Sequence, residues 1–221
     1  MPRRWVKEEL KKDRLVNWVE RSVIWVNQNR ENVMIGGIVI LAVAIFIPFS
    51  LSRRAKLNEQ AFSLFARGQQ EYFENRLDKA ISFYDQVLTR SGSKAIPFVL
   101  FYKGNLLYEL GKYSEAASVY RRYLDKYETR KFTPEVLIGL GNSLEQQGKF
   151  DEAKEIYQKF LDKFPQHYLL PGVYQGLGRC YEKLGQKDEA IKIYQQMSRF
   201  YSGWVWQDMA EAKIEALSPK P

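Results

Sequence analysis

Residues 148–165 read GKFDEAKEIYQKFLDKFP. The stretch recurs: Gly111 opens GKYSEAASVYRRYLDKYE, Gly185 opens GQKDEAIKIYQQMSRFYS, and Asn75 opens the weaker NRLDKAISFYDQVLTRSG. Aligned, the copies place alanines at Ala80, Ala116, Ala153 and Ala190, spaced 36, 37 and 37 residues apart. A tyrosine follows each alanine by four residues (Tyr84, Tyr120, Tyr157, Tyr194), and a glycine precedes it by twelve (Gly68, Gly104, Gly141, Gly178). A fixed period of this length is the mark of a repeat array rather than of one globular core.

Each copy reads as two helices joined by a short polar turn. In the first helix of copy three, Leu137, Leu140, Gly141 and Leu144 share a face. In the second, Ala153, Ile156, Tyr157, Phe160 and Leu161 do the same. Acidic residues open the second helices, where the helix dipole favours them. Pro134 and Pro171 stand where first helices begin, the position that best tolerates proline. One such hairpin cannot bury its apolar face alone, so neighbours must stack.

Glycine at position 8, alanine at 20, an aromatic at 24 and proline at 32 resembles the tetratricopeptide-repeat (TPR) pattern. Copy three matches it fully, with Gly141, Ala153, Tyr157 and Pro165; copies two and four carry Glu128 and Ser202 where the proline belongs. The period exceeds the usual 34 residues and resembles the longer repeats of bacterial envelope TPR proteins. The fold expected is all-α: a single transmembrane helix, then a TPR α-solenoid of about four helix hairpins and a C-terminal capping helix.

The organisation follows from that reading. Residues 1–32 form a polar, amphipathic N-terminal segment, with Leu15, Trp18, Val19, Ser22 and Val26 at helical spacing and Trp5 and Trp25 adding aromatic area. Such a helix lies on a membrane surface or a partner, or is a solvated lead-in. Residues 33–51, VMIGGIVILAVAIFIPFSL, carry no charge. As a helix they span roughly 28 Å, about the thickness of a bilayer's hydrocarbon core. A transmembrane helix is therefore expected, because a leader of 32 residues is too long for a signal peptide. Residues 52–60 are a connector without Gly or Pro, a composition that lets the membrane helix run on into repeat one and hold the repeats close to the membrane. The repeats fill 61–202, as 61–96, 97–133, 134–170 and 171–202; 203–217 form the cap, with Trp204 and Trp206 covering the last hairpin, and 218–221 a fraying tail.

The eight Lys/Arg of the leader place it in the cytoplasm and the repeats outside, whereas Arg53, Arg54 and Lys56 pull the other way. A charged leader, one uncleaved helix and a small repeat domain resemble the YfgM-type ancillary subunits of the bacterial Sec translocon. That resemblance implies an inner-membrane protein with periplasmic repeats that works beside a chaperone in secretion or assembly. Two other readings stand: a cytoplasm-facing membrane adaptor, and a self-associating homo-oligomer whose groove is filled by another copy.

The net charge of +8 is diffuse and no Lys/Arg block exceeds two residues, which argues against nucleic acid. One cysteine, Cys180, and one histidine, His167, cannot build an ordinary zinc site. Gly139-Leu-Gly141 and Gly176-Leu-Gly178 lie within helices and follow no strand, so they are not dinucleotide loops. No catalysis, cofactor or metal is expected.

The partners expected are proteins. The TPR resemblance implies that positions 2, 5, 9, 12 and 13 of each first helix line a concave groove. Copy one contributes Phe62, Phe65 and Tyr72, and copy two Phe98, Phe101, Asn105 and Tyr108. Copy three gives Ile138 and Asn142, and copy four Arg179. The first half is aromatic and the second polar, which suits an extended or helical peptide with apolar anchors. The asparagines are candidates to bond its backbone. Equally, the aromatics of copy one could pack within the chain. The carboxylate clamp of chaperone-binding TPR proteins is absent, since Phe65 and Glu135 stand where it needs lysines.

Overall fold

The computed structural model describes the backbone of residues 4–90, 92–129 and 131–218, and the side chains of these from residue 16 onward. Among the described residues there are ten helices and no strand. They fall into two compact units, residues 1–56 and 57–221.

The first unit holds α1 (Arg4–Gln28) and the start of α2 (Arg30–Phe73). In α1, Trp18 and Trp25 are exposed; the side chains of Trp5 and Leu15 lie outside the described residues. Asn29 stands between the two helices, its Nδ2 donating to the Trp25 carbonyl at 2.9 Å. The uncharged run 33–51 lies wholly within α2 and exposes its large apolar side chains, Ile38 and Phe46 among them. By length and composition, α2 is the one described helix apolar enough to cross a membrane. Helical structure continues without a break through residues 52–60.

In the second unit helices alternate as the repeats require. The last part of α2 meets α3 (Leu77–Leu88) where the Tyr84 ring lies against Gly68, and α4 (Ile96–Glu109) pairs with α5 (Tyr113–Tyr127). Then α6 (Thr133–Gln146) pairs with α7 (Phe150–Lys163), and α8 (Leu170–Lys183) with α9 (Lys187–Phe200). α10 (Val205–Leu217) packs on α9. First helices also touch one another, α4 on α6 and α6 on α8, and so form the inner row of the array.

The turn inside each hairpin follows one recipe. Gly148 takes φ +73°, and the Lys149 amide reaches back to the Leu144 carbonyl at 2.9 Å while the Gly148 amide donates to Glu145 at 2.9 Å. A left-handed residue after the helix satisfies its last carbonyls in this way. In copy one Asn75 does the same at φ 57°, and asparagine tolerates that conformation better than most residues. Proline occupies the first turn of α4, α6 and α8 (Pro97, Pro134, Pro171).

The core is the repeat signature. Ala80, Ala116, Ala153 and Ala190 are fully buried, as are Tyr84, Tyr120, Tyr157 and Tyr194 to within 2%. A Cβ added to Gly68, Gly104, Gly141 or Gly178 would come within 2.4–2.6 Å of the tyrosine ring of its own repeat. Glycine is needed there because the ring lies against the bare backbone. Cys180 is buried among apolar neighbours. The cap differs from expectation in one residue. Trp206 packs on the core, but Trp204, the extended residue before α10, is 67% exposed. Ala210, Ile214 and Leu217, at spacings of four and three, supply the packing face instead, and Trp204 precedes that face. The tail beyond Ser218 lies outside the described residues.

Candidate functional site

The inner row begins with aromatic rings. Phe65 lies 6.2 Å from Phe98 and 5.5 Å from Tyr102, centroid to centroid, and Phe62 meets Phe98 edge-on at 5.9 Å. Phe132, in the loop before α6, joins them, stacked on Phe101 at 4.5 Å and edge-on to Phe98 at 5.5 Å. Nothing in the repeat pattern marks Phe132, since it falls in the connection between copies two and three. The aromatics of α2 and α4 therefore pack largely on each other. Phe65, Phe98, Phe101, Tyr102 and Phe132 are half-buried and Phe62 is 38% exposed. Phe62, Pro97, Phe98, Tyr127 and Phe132 also line a cleft of about 760 Å³ at the inter-repeat loops, rimmed by Lys94 and Lys131.

Further along, the row becomes polar in two patterns. In copies one and two, position 12 is a tyrosine and the buried repeat tyrosine bonds position 9. Gln69 Nε2 donates to the Tyr84 hydroxyl at 2.8 Å, and the Tyr120 hydroxyl donates to Asn105 Oδ1 at 2.7 Å. Tyr72 itself donates to Glu109 at 3.0 Å, and Tyr108 meets Tyr113 edge-on at 5.3 Å. In copies three and four, position 12 is a glutamate and becomes the acceptor. Tyr157 lies 2.8 Å from Glu145 Oε2 and 2.7 Å from Asn142 Oδ1, and Tyr194 donates to Glu182 at 2.6 Å. Each glutamate also holds a cation from a later helix: Arg179 of α8 on Glu145 at 2.7 Å, and Lys213 of the capping helix α10 on Glu182 at 3.0 Å. Burial, with Glu145 and Glu182 adding to it, pushes the Tyr157 and Tyr194 hydroxyls well above their ordinary range.

The sequence-predicted residues are thus spread along one row. Phe62, Phe65, Phe98 and Phe101 form one cluster, while Tyr72, Tyr108 and Arg179 stand apart from it, each with its own partner. Ile138 packs against the main core. Asn105 and Asn142 spend their carbonyl oxygen on a tyrosine of their own repeat. Glu135 Oε2, in the first turn of α6, is buried without a partner. Among the described residues no group of three His, Cys, Asp or Glu could hold a metal ion.

Two family models, both described as tetratricopeptide repeat, match residues 65–131 and 132–202, together well over half of the chain. No curated protein matches. Solved structures agree with the fold. A tetratricopeptide repeat protein from Parabacteroides merdae is 17% identical at a TM-score of 0.63, over 72% of this chain and 60% of its own. YrrB, described as a TPR protein with an unusual peptide-binding site, is 15% identical at 0.58, over 69% of this chain and 74% of its own. The first TPR of Spaghetti (RPAP3), bound to the HSP90 peptide SRMEEVD, is 17% identical at 0.50, over 58% of this chain and 95% of its own. The chain thus spans 60% of the length of the Parabacteroides protein.

Proposed function

Because the chain belongs to the tetratricopeptide-repeat family, whose arrays are protein–protein interaction scaffolds, we propose that it is a scaffold anchored in the bacterial inner membrane by residues 33–51. Its repeats hold a partner polypeptide along the inner row, in the periplasm, in support of secretion or envelope assembly. The observation that carries the binding role is the gradient along that row: half-buried rings at Phe65 and Phe101, then asparagine amides, then Arg179. An extended segment with an apolar anchor at one end and polar groups at the other fits this order. The peptide-bound and peptide-binding relatives support the mode, and the exposed uncharged run in α2 supports the anchor.

The test is photo-cross-linking in cells. A photoreactive residue replaces Tyr108 or Gln146 on the inner row, or Glu155 or Lys192 on second helices. Discrete adducts from the inner pair alone are expected; adducts of equal yield from all four positions would overturn the docking face. A second reading rests on Arg53, Arg54 and Lys56, which lie just beyond the apolar run and favour repeats on the cytoplasmic side. Labelling of a Lys112→Cys variant by an inner-membrane-impermeant maleimide decides between them.

A further inference from the structure

The second unit has two loop edges of opposite character. Chain enters it at one of them: the Lys94 amide donates to Asn58 Oδ1 at 2.8 Å, and Arg90 to Gln60 at 2.9 Å. Every inter-repeat loop lies on this entry edge, because every first helix starts there. Among the described residues, loops 89–97, 128–134, 164–171 and 199–206 together contain four Lys/Arg and a single acid, Glu128. That acid is already held by Lys159 and Lys163, each at 2.6 Å. The turns at the opposite edge, 74–78, 109–115, 146–152 and 183–189, contain eight acids and five Lys/Arg.

Most of the large apolar groups that the unit leaves in solvent lie on the entry edge, although Phe73, 80% exposed, stands at the end of α2 beside the opposite one. Tyr168 is 75% exposed, Phe200 70%, Trp204 67% and Val205 60%. Tyr168 and Phe200 rim one cleft of about 400 Å³, and Trp204 follows Phe200 by four residues. Burial of an apolar core does not explain a Trp, a Tyr and a Phe together outside it. Aromatic rings interspersed with cations are the composition that settles at the headgroup level of a bilayer, the rings among the upper acyl chains and the cations against anionic lipids. The edge is also tethered: only residues 52–56 separate the end of the uncharged run from the start of this unit.

We propose that the entry edge of the repeat unit docks on an anionic lipid surface, with Trp204, Tyr168 and Phe200 in the headgroup layer and Lys94 and Lys131 facing lipid phosphates. This rests on the reading of residues 33–51 as a membrane anchor. It leaves the inner row free for the polypeptide partner and turns the acidic edge toward solvent.

The test uses the full chain reconstituted in vesicles. An environment-sensitive fluorophore is attached at Trp204→Cys, with Lys187→Cys as the control on the acidic edge. Cys180 stays in place: it is fully buried and burial pushes its thiol up to about 12, so it should not label at neutral pH. In vesicles with about a third phosphatidylglycerol, the probe at 204 should shift to the blue and be quenched at least about two-fold by brominated acyl chains. The probe at 187 should do neither. Lys94→Glu with Lys131→Glu should abolish the dependence on phosphatidylglycerol. Vesicles that float with the chain while the 204 probe stays aqueous would overturn the docking and leave the anchor standing. A chain that does not float with vesicles would overturn both. A blue shift at 204 that brominated lipid does not quench would assign the edge to a protein contact instead, against the proposal.

Discussion

Tyr157 lies in a slot walled by two glycines, Gly141 of its own repeat and Gly176 of the next. A Cβ at the first would sit 2.5 Å from the ring, and one at the second 2.6 Å. Tyr120 is held the same way between Gly104 and Gly139. The ring is fully buried, so it cannot swing aside.

Alanine at either wall of this slot should therefore destabilise the array. The expected loss lies toward the upper end of the about 1–3 kcal/mol typical of overpacking, and the better helix propensity of alanine offsets only part of it. Gly172→Ala is the control: it lies in α8 with open space around it and should be neutral or slightly stabilising. Urea titration of the full chain followed by far-ultraviolet dichroism compares the three; a Gly141→Ala midpoint equal to wild type would refute the slot.

Removing the Tyr157 hydroxyl isolates the polar half of the same contact. Tyr157→Phe keeps the ring and loses the bonds to Asn142 and Glu145, at a cost of about 1–2 kcal/mol. Glu145 keeps Arg179, so the variant should still fold. Unfolding midpoints of Tyr157→Phe, Glu145→Gln and the double variant measure the coupling, and strict additivity would mean that hydroxyl and carboxylate act independently.

Cys180 should be silent in the folded protein. It is fully buried and its thiol is pushed up to about 12, by burial first and Glu145 second. A maleimide at neutral pH should modify it only after urea unfolds the chain. Prompt stoichiometric labelling of the native protein would contradict the packing of α8.

Acid should loosen the junction between copies two and three. Hydrogen bonds from Lys159 and Lys163 hold the Glu128 carboxylate down at about 2. A depressed carboxylate contributes stability above its unfolded pKa of about 4.5, and the contribution fades as pH falls from there toward 2. Glu128 is partly exposed, so the effect should not exceed the about 1 kcal/mol of a surface pair. Glu128→Gln should flatten that part of the stability profile between pH 5 and 2, read as thermal midpoint against pH; an unchanged acid limb would count against it.

The repeat frame was legible because period alone carries it. Alanine, tyrosine and glycine recur at fixed offsets, and every one of them is buried. Less was legible in the site. Whether the buried tyrosine also bonds position 12 depends on whether that residue is tyrosine or glutamate, a correlation between two helices that periodicity does not express. Phe132 escaped because it belongs to no repeat position, yet it stacks on Phe101. Trp204 misled for the opposite reason: a tryptophan beside a cap reads as cover, but it falls one residue before the helix whose face does the covering. The second role of Gly139 and Gly176 could have been read from copies three and four alone, since both place a glycine two residues before the signature one.

Those shared slots offset the folding module from the sequence repeat. Tyr157 is encoded in copy three but enclosed only when the first helix of copy four arrives. The indivisible piece is then a second helix with the first helix that follows it. Ala210 of α10 supplies a small residue for the last such piece, buried in the same cluster as Tyr194 and Met197. A shortened or lengthened array of this kind should be cut after a first helix, not at the boundaries that alignment draws; a break at residue 170 would leave an uncovered tyrosine where the natural chain has none.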